Sequence, residues 1–280
     1  MKKLIGIVIL ILIPSIAAAK SIDLAQLSAK GVAVYGWKGG VATVLYQKQQ
    51  NYLFPIASIT KLITAKTVEM LYPENTVLTM YPQSFIDTKE SNVSVVAGMS
   101  FTRDDLLRSL MIQSNNAVAN QFAISAGGTV FLDTMNSFLH TNKYTKTNFI
   151  NPSGLDPQSK NIKPNRLTAK NLSYLTSTIF TGDPLLTSIM ETKAAIITDQ
   201  ITGKKIQINS SNELNYDPTY DYFVILSKTG STTMAGQDLV FITNGANTFD
   251  YVTVVLLHSK DRYADSKVLI NWLQKVLTQK

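Results

Sequence analysis

The chain has 280 residues, no cysteine and only two histidines, His140 and His258. That composition excludes disulfides and a thiol nucleophile, and it leaves too few ligands for a zinc site. The net charge of +7 comes without any run of five Lys or Arg residues, which argues against nucleic acid as a partner.

Residues 1–19 read as a signal peptide. Lys2 and Lys3 precede an apolar run from Leu4 to Ile13, Pro14 ends it, and Ala17-Ala18-Ala19 offers a cleavage site. The run is shorter than the roughly 20 residues of a membrane span; a retained N-terminal anchor is the alternative. Cleavage removes two lysines and no acid, so the charge falls from +7 to +5. The mature chain, 20–280, is expected to be exported to the periplasm or the extracellular envelope, with no transmembrane anchor. Its mild basicity suits contact with anionic envelope polymers.

Residues 32–37 and 41–46 are rich in β-formers and flank Lys38-Gly39-Gly40, which predicts a hairpin. A helix is expected from Ser58 to about Leu71, stopping before Pro73. Thr102 is placed to cap a second helix, with Asp104 and Asp105 in its first turn. Further helices are expected over 116–125 and 130–139. Asn151-Pro152-Ser153-Gly154 marks a turn, and Thr168 caps a helix to about Phe180. Strands return near 222–227, 238–243 and 251–257. A last amphipathic helix, 264–277, lines up Val268, Leu269, Trp272, Leu273 and Val276. Strands at both ends around a mainly helical subdomain at roughly 75–200 predict an α+β fold with an antiparallel sheet flanked by helices.

Three short strings carry chemistry: Ser58-x-x-Lys61, Ser114-x-Asn116 and Lys228-Thr229-Gly230. A serine hydroxyl is a weak nucleophile and needs a base within hydrogen-bond reach. Positions i and i+3 share a helix face, so the Lys61 amine can reach the Ser58 hydroxyl. To act as base Lys61 must be neutral; burial and a nearby cation, for which Lys228 is the candidate, favour that form. Ser114 is expected to pass a proton to the leaving amine with Lys61 behind it, and Asn116 to hold a substrate peptide group. Taken alone, Ser114 reads more readily as a simple helix cap, and Ser210-Ser211-Asn212 repeats the Ser-x-Asn pattern. That copy stands only 18 residues before Lys228 and has no helical setting. Lys228 and Thr229 suit a carboxylate, Gly230 permits close approach, and the Ser231 N–H would join that of Ser58 as an oxyanion hole.

These segments resemble the low-molecular-mass penicillin-binding proteins, the serine D-alanyl-D-alanine carboxypeptidase and endopeptidase family. The resemblance spans about 28–278. Ala57 to Ala65 is similar to the nucleophile segment, Met111 to Ala117 to the second motif, Asn151 to Leu155 to an Asn-Pro-x-Gly-Leu turn, and Lys228 to Thr232 with Ala235-Gly236 to the third. It implies a β-lactamase/DD-peptidase-like fold and a serine acyl-enzyme without cofactor or metal. It also implies peptidoglycan stem peptides as substrate, acylation by β-lactam antibiotics, and a carboxylate-binding arginine matched in position by Arg262. Leu226-Ser227 departs from the Gly-Ile or Gly-Met that carboxypeptidases often carry before Lys-Thr-Gly. With a chain ending at the last helix, it is more like the short endopeptidase branch, so the leaving group stays open.

Two other readings remain. A β-lactamase would share Ser58, Lys61 and Lys228 but deacylates with a glutamate-activated water; none of Glu69, Glu74, Glu90, Glu191 or Glu213 stands in a Glu-x-x-Leu-Asn string. A non-catalytic peptidoglycan-binding protein would have no need of Ser58 and Lys61.

Overall fold

A computed structural model describes residues 24–86, 88, 95–144, 148–218 and 223–278; the signal-peptide expectation lies outside them. After a short 3₁₀ turn come β1 (Gly31–Lys38), β2 (Val41–Lys48) and the two-residue β3 (Phe54–Pro55). The middle of the chain holds α1 (Lys61–Leu71), β4 (Val77–Thr79), β5 (Ser100–Thr102), α2 (Arg103–Ile112), α3 (Asn116–Ser125) and α4 (Thr129–Thr141). There follow β6 (Arg166–Leu167), α5 (Ala169–Gly182), α6 (Pro184–Glu191), β7 (Ala194–Thr198) and β8 (Lys205–Asn209). The chain closes with β9 (Val224–Thr232), β10 (Gly236–Asn244), β11 (Tyr251–Ser259) and α7 (Arg262–Thr278).

The main sheet runs β2-β1-β11-β10-β9, with every neighbouring pair antiparallel. Both ends of the chain therefore build one sheet, as the order of β-rich segments predicted, and the α+β expectation holds. Strand residues point alternately to opposite faces. Ala33, Tyr35 and Trp37 of β1 join the core that holds α1, α2, α3 and α5, while Val32 and Val34 join Leu269, Leu273 and Leu277 of α7. Both faces are covered, so β1 and β11 are buried almost throughout. That leaves β9 at one edge, beside the helical half of the molecule, which is where a cleft can form.

The caps formed as the sequence predicted. Thr102 accepts from Asp105 N at 3.2 Å and Thr168 from Asn171 N at 3.0 Å. Three expectations need correction. The α1 helix begins at Lys61, not Ser58, because residues 57–60 form a 3₁₀ turn. The strand expected at 222–227 runs as β9 to Thr232, so Lys-Thr-Gly lies inside it. Pairing with β10 down to Thr232–Gly236 holds it extended. The β7–β8 hairpin and α6 were not foreseen. Among the described residues no helix is long and apolar enough to cross a membrane.

Candidate active site

Ile56 N donates to Asn165 O at 3.1 Å, anchoring the chain as it leaves β3. Ala57 then turns it with φ at +42°, a left-handed value that a non-glycine residue adopts only at a cost. The following 3₁₀ turn leaves Ser58 half-buried and Lys61 fully buried. Lys61 Nζ donates to Ser58 Oγ at 2.9 Å, to Asn116 Oδ1 at 2.6 Å and to the Ser153 carbonyl at 2.8 Å. The i,i+3 reach read from the sequence is thus realised, through a 3₁₀ turn instead of an α-helical one.

The Asn151-Pro152-Ser153-Gly154 turn, foreseen only as a turn and a family motif, is a wall of this site. Besides the Ser153 carbonyl on Lys61, the Pro152 carbonyl accepts from Thr64 Oγ1 at 2.6 Å. Asn151 Oδ1 accepts from Gly154 N at 2.7 Å, and Asn165 Nδ2 donates to the Asn151 carbonyl at 2.8 Å. Gly154 has φ at +83°, and a Cβ there would lie 1.9 Å from the Ala57 carbonyl oxygen. Only glycine fits under the nucleophile turn.

Ser114 precedes α3 with φ at +61°. The helix is capped by its neighbour, Asn115, whose Oδ1 accepts from Val118 N at 3.1 Å; the capping reading of Ser114 is set aside. Asn116, the first residue of α3, is held between Lys61 and the Thr88 carbonyl, to which its Nδ2 donates at 3.0 Å. The Ser114 hydroxyl accepts from Lys228 Nζ at 2.9 Å. Behind Ser114 therefore stands Lys228, whereas the sequence pointed to Lys61.

Lys228 and Thr229 are buried in β9, and Ser231 is exposed at its edge. Lys228 Nζ also donates to the Thr229 carbonyl at 2.9 Å. Burial, then the charges of Lys61 and Arg262, push the Lys228 amine well below the usual lysine range. Lys61 and Lys228 therefore lie close enough to act on one another electrostatically, as the sequence reading expected. Gly230 does permit close approach, though to the nucleophile turn: a Cβ there would stand 2.9 Å from the Ile56 carbonyl oxygen and 3.2 Å from Ile59 N. Arg262, the first residue of α7, reaches the same strand, with Nη1 donating to the Gly230 carbonyl at 2.7 Å.

Two serine–lysine pairs, Ser58–Lys61 and Ser114–Lys228, on three separate chain segments, are arranged as a serine acyl-transfer site would need them. The comparisons agree. A model of the D-alanyl-D-alanine carboxypeptidase family matches residues 19–260. The chain belongs to this family. A D-alanyl-D-alanine endopeptidase of Pseudomonas aeruginosa is 30% identical over 82% of this chain and 73% of its own length. The D-alanyl-D-alanine carboxypeptidase DacA of Haemophilus influenzae is 27% identical over 84% of this chain and 58% of its own. Among solved structures, a D-alanyl-D-alanine carboxypeptidase from Mycobacterium tuberculosis superposes with a TM-score of 0.76 at 23% identity, covering 91% of this chain and 94% of that one. The ampicillin-bound penicillin-binding protein D2 of Listeria monocytogenes gives a TM-score of 0.70 at 24% identity, covering 88% and 98%. These two show the fold.

In this D-alanyl-D-alanine carboxypeptidase family member a further tie joins two walls of the cleft. Asp156, just past the Asn-Pro-Ser-Gly turn, accepts from Thr232 Oγ1 at 2.7 Å and from Met234 N at 3.0 Å. Sequence reasoning passed over it, and its only signal was an acid two residues beyond Gly154. Ser210-Ser211-Asn212 stays away from the lysines: Asn212 caps the 3₁₀ turn 213–216 and bonds Ser227. Among the described residues no cluster of His, Asp or Glu is arranged to hold a metal.

Proposed function

We propose that this enzyme cleaves D-alanyl bonds of peptidoglycan stem peptides through an acyl-enzyme on Ser58, outside the cytoplasm, and that β-lactams acylate the same serine. The observation that carries the reading is the Lys61 Nζ to Ser58 Oγ hydrogen bond at 2.9 Å, with Lys61 fully buried. Ser58 Oγ attacks the D-alanyl carbonyl carbon while its proton passes to Lys61 in the amine form. The oxyanion is met by the N–H groups of Ser58 and Ser231. On collapse the leaving amine takes a proton from Ser114, which Lys228, donating to it at 2.9 Å, replaces. Water, in the place of the departed amine, then attacks the ester, its proton passing through Ser114 to the Lys228 amine while Lys61 returns a proton to Ser58 Oγ, which restores both lysines. Asn116 holds Lys61 and faces the substrate peptide; Lys228 and Thr229 favour a terminal carboxylate.

Labelling with fluorescent penicillin tests this: the wild type should label and Ser58→Ala should not. Equal labelling would refute the assignment of Ser58, and a wild type that neither labels nor cuts peptidoglycan would return the chain to the non-catalytic reading. Digesting purified peptidoglycan identifies the leaving group, since free D-alanine marks a carboxypeptidase and uncross-linked monomers an endopeptidase. For the β-lactamase reading, Glu69 is tied to Lys66 at 2.7 Å, away from Ser58. Among the described residues no glutamate bonds into the cluster, and Glu90 lies outside them. Deacylation from penicillin should be slow; nitrocefin turnover above about 1 per second, well within the common enzyme range, would contradict it.

A further inference from the structure

Two of the three guanidinium nitrogens of Arg262, Nη1 and Nε, are accounted for inside the protein. Nη1 donates to two main-chain carbonyls, Gly230 at 2.7 Å and Asp238 at 3.2 Å, which face each other across β9 and β10. Nε is buried without a hydrogen-bond partner. Among the described residues no carboxylate lies within ion-pair distance of it. The nearby Asp238 carboxyl is fully buried, its Oδ1 accepts from His258 N at 2.8 Å, and burial pushes it well above the usual carboxylate range. Arg262 also begins α7, and a cation at a helix N-terminus is electrostatically disfavoured. Its location needs another reason.

The Gly230 carbonyl supplies one. It belongs to the same peptide unit as the Ser231 N–H. In a trans peptide the C=O and N–H point in opposite directions, and none of the described peptide bonds is cis. β9 is an edge strand with β10 on one side only. With the Gly230 oxygen turned toward Arg262 and β10, the Ser231 N–H faces the open edge, beside the Ser58 turn. A charge-assisted hydrogen bond is about twice as strong as a neutral one. Chained hydrogen bonds also polarise one another, by about 10–30% per bond.

We propose that Arg262 is a positioning residue for the oxyanion hole. It fixes the plane of the Gly230–Ser231 peptide and polarises it, so that the Ser231 N–H is aimed into the cleft and donates more strongly. This rests on the serine-peptidase reading above and gives Arg262 a role that does not need a carboxylate on the substrate.

The test compares two depsipeptide substrates with the same acyl group, one ending in a free carboxylate and one in a carboxamide. R262Q should slow acylation by about 10-fold on both, a fraction of the 100- to 1000-fold lost with a whole oxyanion donor, and leave KM nearly unchanged. In the infrared spectrum of the penicilloyl-enzyme, the ester carbonyl band should move to higher wavenumber in the variant, as a less polarised carbonyl does. A loss confined to the carboxylate substrate, or a band that stays in place, overturns the proposal. If R262Q does not fold, R262K carries the same comparison, with equal losses supporting and a carboxylate-only loss refuting. A wild type that forms no penicilloyl-enzyme would overturn the serine-peptidase reading itself, a result separate from the behaviour of the variants.

Discussion

Gly230→Ala separates the fit of the site from its chemistry. The added Cβ would stand 2.9 Å from the Ile56 carbonyl oxygen and 3.2 Å from both Ala57 Cβ and Ile59 N. Ordinary contact begins near 3.4 Å, so β9 and the nucleophile turn must part by about 0.5 Å. Overpacking of this kind costs about 1–3 kcal/mol, and replacing a strand glycine returns about 0.5–1 kcal/mol of chain entropy. The net loss, about 0–2 kcal/mol, leaves the protein folded. Acylation should suffer more. The two proposed oxyanion donors, Ser58 N–H and Ser231 N–H, lie on opposite sides of the opened contact, and a misplacement near 1 Å costs about 100-fold. The expected fall in the second-order rate of penicillin acylation is about 10- to 100-fold, with thermal unfolding measured alongside. A folded variant that acylates within about twofold of wild type would show that strand and turn are not held in register by this glycine.

Lys61→Ala should abolish labelling while leaving the fold, with a stability loss of about 1–3 kcal/mol from the stranded Asn116 Oδ1 and Ser153 carbonyl; retained labelling would mean that Lys61 is not the base. Asp156→Ala removes two bonds to the end of β9 and should destabilise by about 1.5–3 kcal/mol, read by denaturant unfolding. Its acylation should slow severalfold, and an unchanged rate would mean that this tie holds only the fold. Glu69 is pushed up to about 6 by burial first and then by its bond to Asp183. The folded protein therefore binds that proton more tightly than the unfolded chain, and the associated stability is present below about 4.5 and lost as pH rises through about 6. Glu69→Gln keeps the neutral form permanently and leaves Lys66 on Asp183 at 2.6 Å. It should be more stable than wild type by about 1–2 kcal/mol at pH 7.5, with the difference vanishing below pH 4.5 in thermal melts; no gain at pH 7.5 refutes the sign.

What could be read from the sequence was local. Thr102 and Thr168 announce their helices because a hydroxyl before an apolar period has one good use, and both caps formed. β1 and β10 carry near-continuous apolar runs, as strands covered on both faces do. Ser58 and Lys61 meet because three residues of any tight right-handed turn bring them together. What could not be read was set by distant parts of the chain. The α-helix starts at Lys61 after a turn in which Ala57 is left-handed, and that turn is approached closely by Gly154 and Gly230 from distant parts of the chain. Ser114 takes Lys228 as partner because strand and helix end converge from 114 residues apart. Some signals were present but unread: Asp183 ahead of Pro184 caps α6, accepting from Leu186 N at 3.0 Å, and Thr202-Gly203 turns the β7–β8 hairpin with Ile206 and Ile208 inward.

The charge balance of the cleft connects these observations to the reaction. Lys61, Lys228 and Arg262 converge on the middle of β9 and the starts of α1 and α7, and burial pushes the Asp238 carboxyl near Arg262 well above the usual carboxylate range. Desolvation and mutual repulsion both oppose charge on Lys228. A substrate carboxylate entering beside Lys228 and Thr229 reverses the second of these terms, because an opposite charge within a few ångströms favours the ammonium form. In the proposed reaction the proton that Ser114 hands to the leaving amine is then most available when a carboxylate-bearing substrate is bound. The same carboxylate leaves the Lys61 side of the network beside Ser58, so the base and the acid of one turnover are kept on two different lysines. A single lysine could serve both roles, because the proton it takes on attack is one that a leaving amine can accept; with two lysines in the proposed reaction, one on the nucleophile helix and one on the edge strand, deacylation has to return a proton to Lys228 and remove one from Lys61 before the next turnover.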